Sequence, residues 1–216
     1  MLQLKAKQTT LRWAAALITV ASLSACAPLV LGSAVGGAFM ATDRRTSGIQ
    51  VEDQTIEIKA SNRIKDAIGD RGHINVNAYN RWVLLTGEVP TEADKAAAAQ
   101  AAGSVENVAT VYNELMVSLN SSFGSRSSDV LLASKIKATM VDARDVMSNA
   151  FSVVVERGDV FLMGLVTERE ANRGAELAAS VKGVNRVVKV MQLISEDELA
   201  RKLPRPPANS ASGSQP

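Results

Sequence analysis

Val160-Phe161-Leu162-Met163-Gly164-Leu165-Val166-Thr167-Glu168-Arg169-Glu170-Ala171 is the stretch whose reading decides the fold, because the chain has already spelled a version of it. Val83-Leu84-Leu85-Thr86-Gly87-Glu88-Val89 has the same apolar run with one inner glycine, 77 residues earlier, and Pro90 is the single extra residue before Thr91-Glu92. Beyond that proline the copies align without a gap at an offset of 76 residues, so that Ala102, Val105, Val108 and Val111 meet Ala178, Val181, Val184 and Val187. A self-match at fixed offset marks a repeated structural unit. Working back towards the N-terminus, Ile64-Lys65 pairs with Ile136-Lys137.

Each copy carries the same order of periods. Ala60, Ile64 and Ile68, and likewise Leu132, Ile136 and Met140, recur every four residues and predict an amphipathic first helix. Alternating strands follow: Ile74 to Ala78 and Trp82 to Val89 in one copy, Val153 to Glu156 and Val160 to Val166 in the other. The turns between them fall at Asn80-Arg81 and Arg157-Gly158-Asp159. Thr91 and Thr167 then open a second helix, and Thr167 with Glu170 has capping-box spacing. A last strand is expected over 108–117 and again over 184–194. The fold class is α+β: two tandem αββαβ domains, 53–118 and 129–195, joined by a linker at 119–128. Units of this size support only a marginal core alone, so the two are expected to pack together.

The ends of the chain point to export. Lys5, Lys7 and Arg12 precede an uncharged stretch and the small residues Ser24-Ala25, the layout of a secretory signal over 1–25. Leu23-Ser24-Ala25-Cys26 is similar to the bacterial lipobox, in which the cysteine receives diacylglycerol and becomes the mature N-terminus. The uncharged run from Trp13 to Met40 is also long enough to span a bilayer. Pro28, Gly32, Gly36 and Gly37 interrupt it and favour a flexible tether over 26–52. A Pro- and Ser-rich tail closes the chain at 196–216 and is expected to be mostly disordered.

Composition excludes several functions. The chain of 216 residues has one cysteine and one histidine, which rules out an internal disulfide and a cysteine-built zinc site. Loss of Lys5, Lys7 and Arg12 with the expected signal would leave 21 basic residues against 22 acidic ones, so the formal charge of +2 is that of the uncleaved chain. Without a concentrated basic surface, nucleic acid is not an expected partner. No glycine loop is placed to cradle phosphate, and His73, near Asp70 and Arg71, has no nucleophile to serve. No catalytic residue, metal site or cofactor is expected, and the protein is read as a non-enzyme.

The αββαβ order, the inner glycines Gly87 and Gly164 and the closing Val181-Lys182-Gly183-Val184 resemble the BON domain family. Ile74 to Tyr79, Ala41 to Arg45 and Val160 to Ala171 strengthen the match, and two copies behind a lipobox resemble the family's outer-membrane lipoproteins. The resemblance implies a periplasm-facing, lipid-anchored protein of the outer membrane. It would bind anionic phospholipid of the phosphatidylglycerol type through the second domain, support envelope integrity and be linked to the division site. Ala27 after the cysteine agrees with outer-membrane placement, since an aspartate there would resemble an inner-membrane retention signal.

The residues add their own argument for a lipid face. Leu131 lies about 100° round the first helix of the second copy from Leu132, off the core stripe, and is expected to be exposed. Lys135 follows it by one turn, with Ala133, Ser134 and Ala138 small enough for close approach and Lys137 nearby. The expected phospholipid-binding set is therefore Leu131, Ser134, Lys135, Lys137, Ala138 and Gly164, with Cys26 as the lipidation site. The family pattern has an aromatic residue where Leu131 stands; leucine keeps the bulk without the interfacial preference of tryptophan. Charge leans the same way, with 6 basic and 9 acidic residues in the first copy and 9 and 8 in the second. The alternative is a scaffold that holds outer-membrane assembly proteins and touches the bilayer only through its anchor.

Overall fold

A computed structural model describes residues 43–202, all within one compact unit, 38–216. The expected signal, Cys26 and most of the tether lie outside the described residues, as does the tail beyond Lys202. The first domain runs α1 (Ser47–Ile68), β1 (His73–Tyr79), β2 (Trp82–Val89), α2 (Glu92–Gly103), β3 (Thr110–Asn113) and β4 (Met116–Val117). The second runs α3 (Phe123–Asp142), β5 (Phe151–Glu156), β6 (Asp159–Val166), α4 (Glu168–Ala179) and β7 (Arg186–Leu193), followed by a short α5 (Glu196–Lys202). The order is αββαβ twice, as the periods require.

In each domain the glycine-bearing strand is central. β2 pairs antiparallel with β1 and parallel with β3 and β4; β6 pairs antiparallel with β5 and parallel with β7. Alternation then sends successive side chains to opposite faces. Val83, Leu85 and Val89 meet α1 and α2 residues such as Ile56, Ala60 and Ala98, while Val160, Leu162 and Val166 meet Leu132, Ile136 and Ala178. The intervening Leu84, Phe161, Met163 and Leu165 form a third cluster with Tyr79 and Val190, in which both domains take part. Central strands covered on both faces explain why they read as unbroken apolar runs.

The inner glycines are required by close approach. A Cβ on Gly87, which has φ +113°, would lie 2.0 Å from the His73 carbonyl oxygen; one on Gly164 would lie 2.6 Å from that of Ala150. Both carbonyls stand beside the first strand's beginning, so the two copies repeat the same crowding.

Several boundaries differ from the sequence reading. α1 starts at Ser47, capped by Thr46, so part of the expected tether is folded. α3 starts at Phe123, capped by Ser122. The linker serines Ser127 and Ser128 lie in its first turns, and their hydroxyls donate to the Phe123 and Gly124 carbonyls. The last strand of the first copy is broken at Glu114 and Leu115, where Leu115 turns into the core. Part of the expected tail forms α5, held by the buried Leu199.

The register of the first helices is corrected by one turn. Buried Asp53, Ile56, Ala60 and Ile64 occupy the places of Asp129, Leu132, Ile136 and Met140, so Ile64 corresponds to Met140 rather than Ile136. The two aspartates confirm it, because each closes the adjacent hairpin. Asp53 accepts from the backbone N–H groups of Asn80 and Arg81 at 2.7 and 2.8 Å, and Asp129 from those of Arg157 and Gly158 at 2.9 Å. All four turn residues have positive φ, the geometry of a tight two-residue turn.

Candidate functional site: the outer face of the second domain's first helix

α3 turns Leu132, Ile136 and Met140 into the core and leaves its opposite face to solvent. Leu131 is 64% exposed, Val130 67%, Phe123 84% and Val141 61%. Ser134, Lys135 and Ala138 are exposed between them. At 100° per residue these side chains share one broad face. Asp129, the acid within this stretch, is turned inward to its hairpin. Phe123 to Val141 thus presents an apolar face with small residues at its centre and Lys135 on one flank, and the exposed Asp142 closes it at the C-terminal end of the helix.

The corrected register gives this face its contrast. Gln54 and Thr55 of α1 stand where α3 has Val130 and Leu131, and Asn62 stands where it has Ala138. The Val130-Leu131 pair has no counterpart on α1, whose own exposed apolar residues, Val51 and Ile58, stand at the places of Ser127 and Ser134, with Lys59 at that of Lys135. Sequence comparison on the shifted register hid this, because it paired Leu131 with Lys59.

Two depressions flank Ala133 and Ser134. One, of about 470 Å³, is bounded by His73, Asn75, Arg126 and Glu156, and the other, of about 440 Å³, by Asp43, Arg45, Tyr79 and Lys137. In the first, Asn75 donates to Glu156 across the domain junction at 2.9 Å. Burial pushes the Glu156 carboxyl upward, helped by Glu88 and Asp129, against the hydrogen bond from Asn75 and the charge of Arg126. Burial and Arg126 push the His73 imidazole down, so it is neutral at physiological pH. Ser134 lines the same depression, its hydroxyl donating to the Val130 carbonyl at 2.9 Å.

Of the expected lipid residues, the structure brings together Leu131, Ser134, Lys135 and Ala138. Lys137 lies on the edge of the face, half-buried, and its ammonium donates to the Ser148 and Phe151 carbonyls at 2.7 and 2.9 Å. Burial lowers its pKa. It holds a 3-10 turn (Ser148–Ala150) and the start of β5 against α3. Gly164 is buried beneath the Ala150 carbonyl and offers no surface to a ligand. The sequence reading missed Val130 and Phe123: Val130 is a neighbour of Leu131 and equally off the core stripe, whereas Phe123 was assigned to the linker.

Among the described residues no helix is long and apolar enough to cross a membrane, and no cluster of His, Cys, Asp and Glu is placed to hold a metal ion. The BON domain family matches residues 52–118 and 128–195, and the chain belongs to it. Two such domains make it a dual-BON protein, and the BON domain family is associated with membrane or phospholipid interaction.

The particular kinship is with an outer-membrane lipoprotein. The chain is 42% identical over 175 residues to the outer membrane lipoprotein DolP of Haemophilus influenzae (strain ATCC 51907 / DSM 11121 / KW20 / Rd), covering 80% of this chain and 90% of that one. It is 36% identical over 154 residues to a 21 kDa hemolysin of Actinobacillus pleuropneumoniae, covering 70% of this chain and 79% of that one. Neither name is that of an enzyme family. Among solved structures, the C-terminal domain of CdsD, the structural protein of the type III secretion system of Chlamydia trachomatis, is 10% identical. It covers 62% of this chain and 96% of its own at a TM-score of 0.28. The protein is a DolP-like dual-BON lipoprotein of the outer membrane, lipid-anchored and facing the periplasm.

Proposed function

We propose that the protein is a non-enzymatic lipoprotein, acylated at Cys26, that binds anionic phospholipid of the phosphatidylglycerol type through the outer face of α3. In that place it supports outer-membrane integrity, with a link to the division site. The observation that carries the reading is the exposed Val130-Leu131 pair with Lys135 one turn on, on a helix whose counterpart in the first domain has Gln54 and Thr55 there.

Magnitudes assign the roles. Burying a whole aliphatic side chain contributes about 1.5–3 kcal/mol, and a lysine near an anionic surface about 1 kcal/mol. Two partly buried side chains and Lys135 therefore supply roughly 3–5 kcal/mol, around millimolar affinity. The acyl anchor holds the protein at the membrane, and α3 selects the lipid and sets the orientation of the domain pair. Gly164 takes no part in this reading. Lys137 contributes by fixing the wall of the face rather than by meeting phosphate.

Co-sedimentation of residues 38–216 with vesicles tests it. Binding to phosphatidylglycerol-containing vesicles is expected, with little to zwitterionic ones, and Leu131→Glu should lower it at least tenfold with the melting temperature unchanged. Equal binding by wild type and Leu131→Glu would overturn the reading. Absence of binding to either vesicle would move the function to a scaffold for outer-membrane assembly proteins.

A further inference from the structure

Two consecutive arginines ahead of α1 are fastened to different domains. The Arg44 guanidinium donates to both carboxylate oxygens of Glu170, at 2.7 and 2.8 Å, and to the Leu165 carbonyl at 2.9 Å. Those residues belong to the second domain, more than a hundred positions away in sequence, and the side chains of Arg44 and Glu170 are only 3% and 6% exposed. Arg45 turns to the first domain. It meets Asp53 at 2.8 Å and its own neighbour Asp43 at 2.9 Å, with its guanidinium 4.1 Å above the Tyr79 ring.

Both acids are already employed within their own domains. Asp53 closes the β1–β2 turn, and Glu170 completes the capping box of α4 with Thr167. Burial alone would raise the Glu170 carboxyl; the hydrogen bonds from Arg44 and the Thr167 backbone bring it below the usual range. An ion pair removed from water in this way holds only while both partners stay in place. Tyr79, beneath Arg45, and Leu165, bonded to Arg44, are also members of the apolar cluster between the sheets.

We infer that Asp43-Arg44-Arg45 is a latch that locks the two BON domains together and ties the segment descending from Cys26 to both at once. Arg44 is the bolt into the second domain and Arg45 the hinge plate on the first. The domain pair then moves as one body with residues 43–45. This stands whether or not α3 binds lipid.

Spin-label distances test the latch in the full chain carrying Cys26→Ser, which leaves no native thiol. Labels at Lys59→Cys and Lys182→Cys report between domains; labels at Lys135→Cys and Lys182→Cys report within the second. Both pairs should give one narrow distance in the otherwise native chain. Arg44→Ala should broaden the inter-domain distribution at least twofold and leave the pair within the second domain narrow. Arg44→Lys keeps the charge without the two-pronged geometry and should fall between. An inter-domain distribution for Arg44→Ala as narrow as that of the native chain would overturn the latch. Broadening of both pairs would also overturn it, since Arg44 would then serve the fold of the second domain.

Discussion

Single carboxylates at the domain junction carry opposite signs of pH dependence. The carboxyl of Glu156 is raised chiefly by burial, so its folded-state pKa stands above the unfolded value of about 4.3. Its contribution to stability is full below the unfolded value and is lost as pH rises through the folded one. At neutral pH the charged form is therefore a cost. Glu156→Gln keeps an acceptor for Asn75, and thermal unfolding should find it more stable than wild type at pH 7, with the advantage shrinking as pH falls towards 4. A variant less stable at pH 7 would show that the charge is needed there. Glu170 behaves in the opposite way: its lowered pKa contributes stability above the unfolded value that is lost as pH falls through the folded one.

α3 shows at the scale of an element what its sequence disclosed. Its core stripe and exposed Leu131 follow from four-residue spacing alone. Its starting point did not, because Ser122 to Ser128 reads as a linker until the serines are seen capping a helix and bonding back along it. The register against α1 was also hidden. Aligning Ile64 with Ile136 satisfies the hydrophobic pattern as well as aligning Ile64 with Met140 does, and only Asp53 and Asp129 under their hairpin turns decide between them. The two lysines likewise read alike in sequence but have different work. Lys137→Ala should lower stability by about 1.5–3 kcal/mol, the range for hydrogen bonds from a charged donor, as read from chemical denaturation. Lys135→Ala should change stability by less than about 0.5 kcal/mol yet weaken binding to anionic vesicles roughly fivefold, the equivalent of about 1 kcal/mol. Equal effects of both substitutions on stability would contradict the assignment.

For the whole molecule, the doubled αββαβ order was legible, whereas the strand order within each sheet and the joint between the domains were not. A small core per copy called for packing together. Nothing in the spacing of Arg44 or Arg45 pointed to Glu170 or Asp53, because such partners are fixed by the tertiary arrangement. Separated domains would expose Phe161, Met163 and Leu84, and the latch would be lost. Calorimetry of residues 38–216 should therefore show one cooperative transition with matching calorimetric and van't Hoff enthalpies; two resolved transitions would mean that the domains unfold independently. The central claim, that the second domain's α3 enters the lipid surface and the first domain's α1 does not, is tested most directly by tryptophan emission. Leu131→Trp and Thr55→Trp place the same probe at equivalent points of the two helices in residues 38–216, over the common background of Trp82. With phosphatidylglycerol-containing vesicles, the emission of Leu131→Trp should shift to the blue and that of Thr55→Trp should stay in place. A shift in Thr55→Trp, or none in Leu131→Trp, would contradict the account.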